Sequence, residues 1–242
     1  MLELKSVSYT VEENGQEKKI LDDLSLTLED GKFVVITGPN GGGKSTIAKI
    51  IMGIYKPTSG KIFLDGQDIT DYSLTDRAKA GISFAFQQPV HFKGIRVIDL
   101  LRLAVGKNIS LNVACGYLSR VGLCAKDYIQ REVNASLSGG ELKRIEIATV
   151  LARGTRYSLF DEPEAGIDIW SFQNLIQVFE SVRESIQGTV LIISHQERIL
   201  NIADELVVIE AGRVKQQGPR EEILPRLLGT AAAMNMGCSR LN

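Results

Sequence analysis

Hydrophobic and polar positions follow several different rhythms along this chain. Over residues 2–11 and 24–28 they alternate, which predicts antiparallel strands with one solvated face. The polar run Glu12-Glu13-Asn14-Gly15-Gln16-Glu17 reads as the turn between them. Phe33-Val34-Val35-Ile36 is continuously apolar, as expected of a short strand buried on both faces of a parallel sheet. A helix follows and ends near Gly53, with Lys56-Pro57-Thr58-Ser59-Gly60 as its stop. Lys61–Leu64 reads as a strand entering a tight turn at Asp65-Gly66, and Ile82–Phe86 as another strand closed by Gln87-Gln88-Pro89. From Arg96 to Ala152 the spacing becomes helical, with Leu100, Leu101 and Leu103, then Ile145, Ile147, Val150 and Leu151, on apolar faces. Strand signals return at Tyr157–Phe160 and Val190–Ile193 around a helix over 170–186, and 206–214 reads as a closing hairpin. The pattern predicts one α/β domain with its core in residues 1–86 and 155–228, a helical subdomain over about 87–154, and a weakly patterned tail, 229–242.

The first candidate chemistry sits between the apolar strand and its helix. Gly38, Pro39, Asn40, Gly41, Gly42, Gly43, Lys44, Ser45 and Thr46 spell G-x-x-x-x-G-K-[ST] in strand–loop–helix context, the setting of a P-loop. Glycines let consecutive backbone N–H groups curl around phosphate oxygens, and the helix points its positive end at the same anion. Lys44 is then placed for the β- and γ-phosphates of a nucleoside triphosphate, and the Ser45 hydroxyl for Mg²⁺. A second strand, Tyr157–Phe160, ends in Asp161 and Glu162. Ligands of parallel sheets lie at the carboxyl ends of the strands, so Asp161 is placed to hold Mg²⁺ beside Ser45, and Glu162 to orient or deprotonate the attacking water.

Composition narrows the picture. The chain has 242 residues with 28 basic and 29 acidic side chains, a net charge of -1, which gives no support to a nucleic-acid partner. Cys115, Cys124 and Cys238 have uninformative spacings, so a reducing compartment is expected rather than a disulfide framework. No apolar run approaches the roughly 18 residues of a membrane span, and the N-terminus lacks a signal peptide's apolar core. The expectation is a soluble, cytoplasmic protein whose membrane role, if any, runs through a partner.

Ser138-Gly139-Gly140 opens a helix after Leu137. It reads equally as an ordinary N-cap or as a second phosphate cradle. One chain rarely needs two cradles for one triphosphate, so the second reading implies that another copy's cradle closes over the γ-phosphate.

Taken in order, GPNGGGKST, Phe86-Gln87, LSGGE, LFDEP, Ala165-Gly166-Ile167-Asp168 and Ser194-His195 resemble the ATP-binding-cassette ATPases over about residues 1–227. The resemblance implies a P-loop NTPase (RecA-like) core, an antiparallel β subdomain, an inserted helical subdomain carrying LSGGE, and a head-to-tail homodimer sandwiching two ATP. It implies roles for Gln87 at Mg²⁺ and the attacking water, for His195 as the switch histidine near the γ-phosphate, and for Asp168 as the aspartate that crosses the dimer. A histidine after a strand is by itself more often structural, so His195 takes its role from the resemblance alone. Where an adenine-stacking aromatic is usual, the chain has Val11; Tyr9, two residues back on the same predicted strand face, is the candidate substitute.

Within that superfamily, Phe84–Val90, Glu141-Leu142-Lys143-Arg144, Ala165–Ile169 and His195–Leu200 are similar to stretches of the Suf-type ATPases of iron–sulfur cluster assembly. Gly42 stands where those usually have serine, Ile167 where they have leucine, and Phe92-Lys93-Gly94 where they have I-P-G. The resemblance implies an ATPase that rearranges a Suf-type scaffold protein; the rival is the ATP-binding subunit of a membrane transporter. Phe92, just beyond Gln87, is either an anchor for such a partner or a residue of the subdomain core.

Overall fold

In a computed structural model that describes residues 1–13, 15–185 and 188–238, two sheets enclose the P-loop helix. β1 (Leu2–Glu13) and β2 (Gln16–Leu28) pair antiparallel from Leu2↔Leu28 to Glu13↔Gln16. β2 is much longer than the 24–28 read from alternation, because residues 16–19 are all exposed and carry no two-sided pattern. Of the turn expected over 12–17, residues 12–13 and 16–17 belong to the strands, Gly15 forms the turn, and Asn14 lies outside the described residues. β3 (Phe33–Thr37) leads into α1 (Lys44–Met52). β4 (Ser59–Leu64) and β5 (Gln67–Asp68) flank the Asp65-Gly66 turn and complete an antiparallel sheet of order β2-β1-β4-β5.

α2 (Leu74–Lys79) was not anticipated; Ser73 caps it by accepting from Asp76 N–H. It delivers Arg77 to the far end of α1. The Arg77 guanidinium, 1% exposed, donates to the carbonyls of Ile50 (2.6 Å), Ile51 (2.8 Å) and Thr70 (2.9 Å). A cation on the terminal carbonyls of α1 complements the helix dipole and anchors the end opposite the P-loop.

β6 (Ile82–Ala85) is followed by four helices: α3 (Val97–Val105), α4 (Leu111–Arg120), α5 (Ala125–Tyr128) and α6 (Gly139–Arg153). The chain then returns through β7 (Tyr157–Asp161), α7 (Ile169–Ser185), β8 (Thr189–Ile193), the short α8 (Glu197–Asn201), β9 (Glu205–Glu210) and β10 (Arg213–Pro219). The sequence reading carried the 170–186 helix one residue further, to Ile186, which lies outside the described residues. The second sheet has the order β10-β9-β3-β8-β7-β6, parallel except for β10 at one edge.

Alternate residues of the central strands feed two cores. Phe33, Val35, Phe160, Val190 and Ile192 pack toward α7 and the four-helix segment. Val34, Ile36, Leu159, Leu191 and Ile193 pack toward α1 and the antiparallel sheet. The parallel strands thus all end on one side of α1's N-terminus, where Thr37 and Asp161 emerge.

α9 (Arg220–Cys238) runs well past residue 229 into the weakly patterned tail. Its later part, rich in alanine and methionine, has high helix propensity but little amphipathic periodicity, so pattern alone misses it. Residues 239–242 of that tail lie outside the described residues.

Candidate functional site

The loop between β3 and α1 folds as its glycines dictate. Gly38 has φ 134°, and a Cβ there would lie 2.0 Å from the Ile209 carbonyl oxygen. Gly43 has φ 99°, and a Cβ there would meet Leu21 Cδ2 at 2.6 Å. Neither position tolerates a side chain, so the loop lies flat against β9 and β2. Gly42 N–H donates to the Pro39 carbonyl (3.2 Å), closing the turn. Gly43 is the N-cap of α1, with no side-chain cap and no acidic residue in the first turn. That terminus presents backbone N–H groups and positive dipole to whatever anion enters.

An open cleft of about 530 Å³ lies over this terminus. Asn40, Gly41, Lys44, Ser45 and Thr46 form its floor. Lys44 is only 6% exposed, and its ammonium donates to the carbonyls of Gly38 (2.8 Å) and Pro39 (2.9 Å). Burial lowers its pKa, opposed by the nearby Glu162 and Asp161 carboxylates. Ser45 Oγ donates to Asp161 Oδ1 at 2.9 Å, joining the P-loop to the end of β7. Burial raises the Asp161 pKa, against the Ser45 hydrogen bond; the neighbouring Glu162 charge raises it further, and Lys49 and Lys143 oppose it.

Glu162 enters the same cleft with φ 44°, a left-handed conformation unusual for glutamate. Its N–H donates to the Ile193 carbonyl (3.0 Å), and its carboxylate accepts from Gln87 Nε2 (2.6 Å). His195 lines the cleft too. Seryl support for that loop comes from the buried Ser194, whose hydroxyl donates to Glu164 and accepts from Gln196 N–H at 3.0 Å. Burial raises the Glu164 pKa, opposed by this bond. Six elements or their connections therefore bring the P-loop, Asp161, Glu162, Gln87 and His195 together.

The hard oxygen donors Ser45 and Asp161, already within hydrogen-bond distance of each other, suit Mg²⁺, which takes few protein oxygens and completes its shell with phosphate and water. No cluster of three or more His, Cys, Asp or Glu that could hold a metal by itself occurs among the described residues.

Ser138, Gly139, Gly140 and Asp168 do not line the cleft. Ser138 caps α6 in a capping box: its hydroxyl accepts from Glu141 N–H, and Glu141 accepts from Ser138 N–H (2.6 Å). A Cβ on Gly139 would lie 3.5 Å from the Gly166 carbonyl, so the start of α6 lies beside the turn that leads to Asp168.

Tyr9 is the residue offered above for stacking on adenine. Tyr9 stacks on Tyr55, with ring centroids 5.2 Å apart and planes 6° from parallel, and is not a cleft residue. The register with β2 jumps between Tyr9↔Leu21 and Thr10↔Lys19, so β2 carries an extra residue opposite β1 there. The bulged residue is Ile20, and Ile20 with Lys18 lines the cleft instead. Neither was singled out from the sequence; a bulge leaves no local compositional mark.

Strand order, P-loop and cleft define a P-loop ATPase with a helical insertion. A family profile described as ABC transporter matches residues 21–165, and the chain belongs to that family of ATP-binding cassettes. It is 39% identical over 214 residues to an uncharacterized ABC transporter ATP-binding protein of Methanocaldococcus jannaschii, covering 85% of each chain. It is 30% identical to a probable ATP-dependent transporter, ycf16, of Antithamnion sp., covering 90% of this chain and 91% of that one. Among solved structures, a dimeric ATP-binding cassette in a post-hydrolysis state bound to ADP and phosphate superposes with a TM-score of 0.80 at 25% identity, covering 91% of this chain and 99% of that one. The protein binds ATP with Mg²⁺ and hydrolyses it.

Proposed function

We propose that this ATPase works as a head-to-tail homodimer, and that its ATP-driven closure rearranges a Suf-type scaffold protein in the cytoplasm during iron–sulfur cluster assembly. The P-loop from Gly38 to Thr46 holds the phosphates, with Lys44 shifting from its own loop carbonyls to the β- and γ-phosphates. Ser45, Asp161 and Gln87 would hold Mg²⁺, which supplies charge neutralisation on the phosphate oxygens. Glu162 orients the attacking water and accepts its proton, Gln87 positions that water, and His195 donates to the γ-phosphate as charge develops. Ser138, Gly139, Gly140 and Asp168 act on the nucleotide of the partner copy. Their position off the cleft of their own chain supports this division.

The observation that carries the scaffold reading is the contact between two Suf-like stretches. Lys143, in Glu141–Arg144, donates to the Phe86 carbonyl within Phe84–Val90. Beside this contact lies an apolar groove of about 160 Å³ lined by Phe86, Pro89, Val90, Phe92 and Leu100. Phe92 packs against the helical core, with its N–H on the Val133 carbonyl (2.8 Å), and also lines the groove, which leaves part of it open to a partner. A partner seated there would bear directly on Gln87.

A second reading is the ATP-binding subunit of a membrane transporter, favoured by the names of the relatives. No helix among the described residues is long and apolar enough to cross a membrane, so the spanning part would lie outside them. Gentle affinity purification from the soluble fraction and from solubilised membranes tests the choice. A soluble partner that raises ATP turnover supports the scaffold; recovery only with a multi-span subunit overturns it.

A further inference from the structure

Gln87 has a mechanical neighbour that the catalytic account does not use. α6 places Lys143 and Glu146 three residues apart, on one helix face. Both turn toward Phe86, the residue immediately before Gln87. Phe86 N–H donates to Glu146 Oε1 at 2.9 Å, the Lys143 ammonium donates to the Phe86 carbonyl, and Lys143 and Glu146 pair with each other at 3.3 Å. The Lys143 side chain is 2% exposed and that of Glu146 15%, while the Phe86 ring is among the exposed large hydrophobics. Phe86 is thus held by its backbone, and its ring packs edge-on against Phe84 with centroids 4.8 Å apart. Burial raises the Glu146 pKa, with Lys143 and the Phe86 N–H acting against that shift.

A buried ion pair contributes little net stability compared with apolar residues of the same size, and a helix needs none here for packing. What this pair does is fix one backbone unit, across a sequence separation of 57 residues, to the helix that begins at Ser138-Gly139-Gly140. At the other end of the connection, Gln87 Nε2 holds the Glu162 carboxylate at 2.6 Å.

We propose that Lys143 and Glu146 are positioning residues: they clamp the Phe86 peptide to α6, so that displacement of α6's N-terminus is transmitted to Gln87 and, through it, to Glu162. The inference rests on the assignment of Gln87 and of the α6 terminus made above and adds their coupling. Phosphate engaged at the start of α6 belongs to one nucleotide, whereas Gln87 and Glu162 serve the other. The clamp therefore lets occupancy of one composite site set the geometry of its neighbour.

The test is a double-mutant cycle in the full-length protein. Lys143→Met is combined with Glu146→Gln, because Lys143→Met alone would strand a buried carboxylate. The combined variant keeps an acceptor for Phe86 N–H but releases the Phe86 carbonyl. Its turnover should fall about tenfold, the scale of one charged hydrogen bond, while monomer affinity for MgATP stays within about twofold. In a Gln87→Ala background the same two substitutions should cause no further loss. Equal losses in both backgrounds, or none in either, would overturn the clamp while leaving Gln87 in its role. A Gln87→Ala variant with wild-type turnover would overturn the role of Gln87 itself and the coupling with it.

Discussion

Two helix N-termini carry the phosphate chemistry assigned to this chain, and they are finished in opposite ways. α1 begins at a left-handed glycine with no side-chain cap, over a cleft that also holds Lys44, Ser45, Gln87, Glu162 and His195. α6 begins in a closed capping box, braced by the Tyr128 hydroxyl on Glu141, and none of Ser138, Gly139 and Gly140 lines the cleft. The first terminus has its chemistry assembled around it by its own chain. The second is held rigid and presented, which suits a surface whose ligand comes with another molecule. The asymmetry is what the proposed shared site requires: each copy would supply a complete floor and a preformed lid for its neighbour.

Four substitutions sharpen that contrast. The largest effect is expected from Lys44→Ala, which removes the ammonium beside Ser45 on the cleft floor. MgATP affinity should fall about 100-fold or more, and turnover with it, as titration of a fluorescent ATP analogue would show. Unchanged affinity would place the nucleotide elsewhere. Next comes Glu162→Gln, with binding retained and turnover reduced by about two orders of magnitude in a phosphate-release assay. Wild-type turnover in that variant would move the role to another cleft group, His195 first.

Gly139→Asp addresses the other terminus. A Cβ there makes only ordinary contact with the Gly166 carbonyl, so the fold accommodates it. A carboxylate beside the neighbour's phosphates should lower turnover about tenfold or more while monomer affinity for MgATP is unchanged. A parallel loss of monomer affinity would mean that α6 serves its own chain's nucleotide. The smallest effect is Tyr9→Leu. Loss of its stacking on Tyr55 should lower stability by about 1 kcal/mol, read as a thermal shift, with no change in ATP affinity.

What was legible in the sequence follows the range of the interactions involved. The P-loop, the Asp161-Glu162 strand end and the Ser138-Gly139-Gly140 helix start are local patterns, and each lies where a local rule puts it. The strands Phe33–Ile36, Tyr157–Phe160 and Val190–Ile193 were legible because strands buried on both faces are continuously apolar. The bulge at Ile20 went unseen because only the pairing of β1 with β2 reveals it. Lys18 and Ile20 went unread for the same reason. α2 and α8 are too short to show a helical period, and the end of α9 has propensity without a face. The grip of Lys143 and Glu146 on Phe86 joins residues far apart in sequence, where no local spacing announces contact.

The composite site stands or falls on the mass of one variant in solution. Glu162→Gln, slow to hydrolyse and therefore slow to reopen, should double its mass by light scattering when MgATP is added, and return to the monomer mass when Gly139→Asp is introduced into the same chain. A Glu162→Gln protein that binds MgATP to saturation and stays at the monomer mass would contradict the account, because the lid formed by Ser138, Gly139 and Gly140 would then have no neighbour to close on.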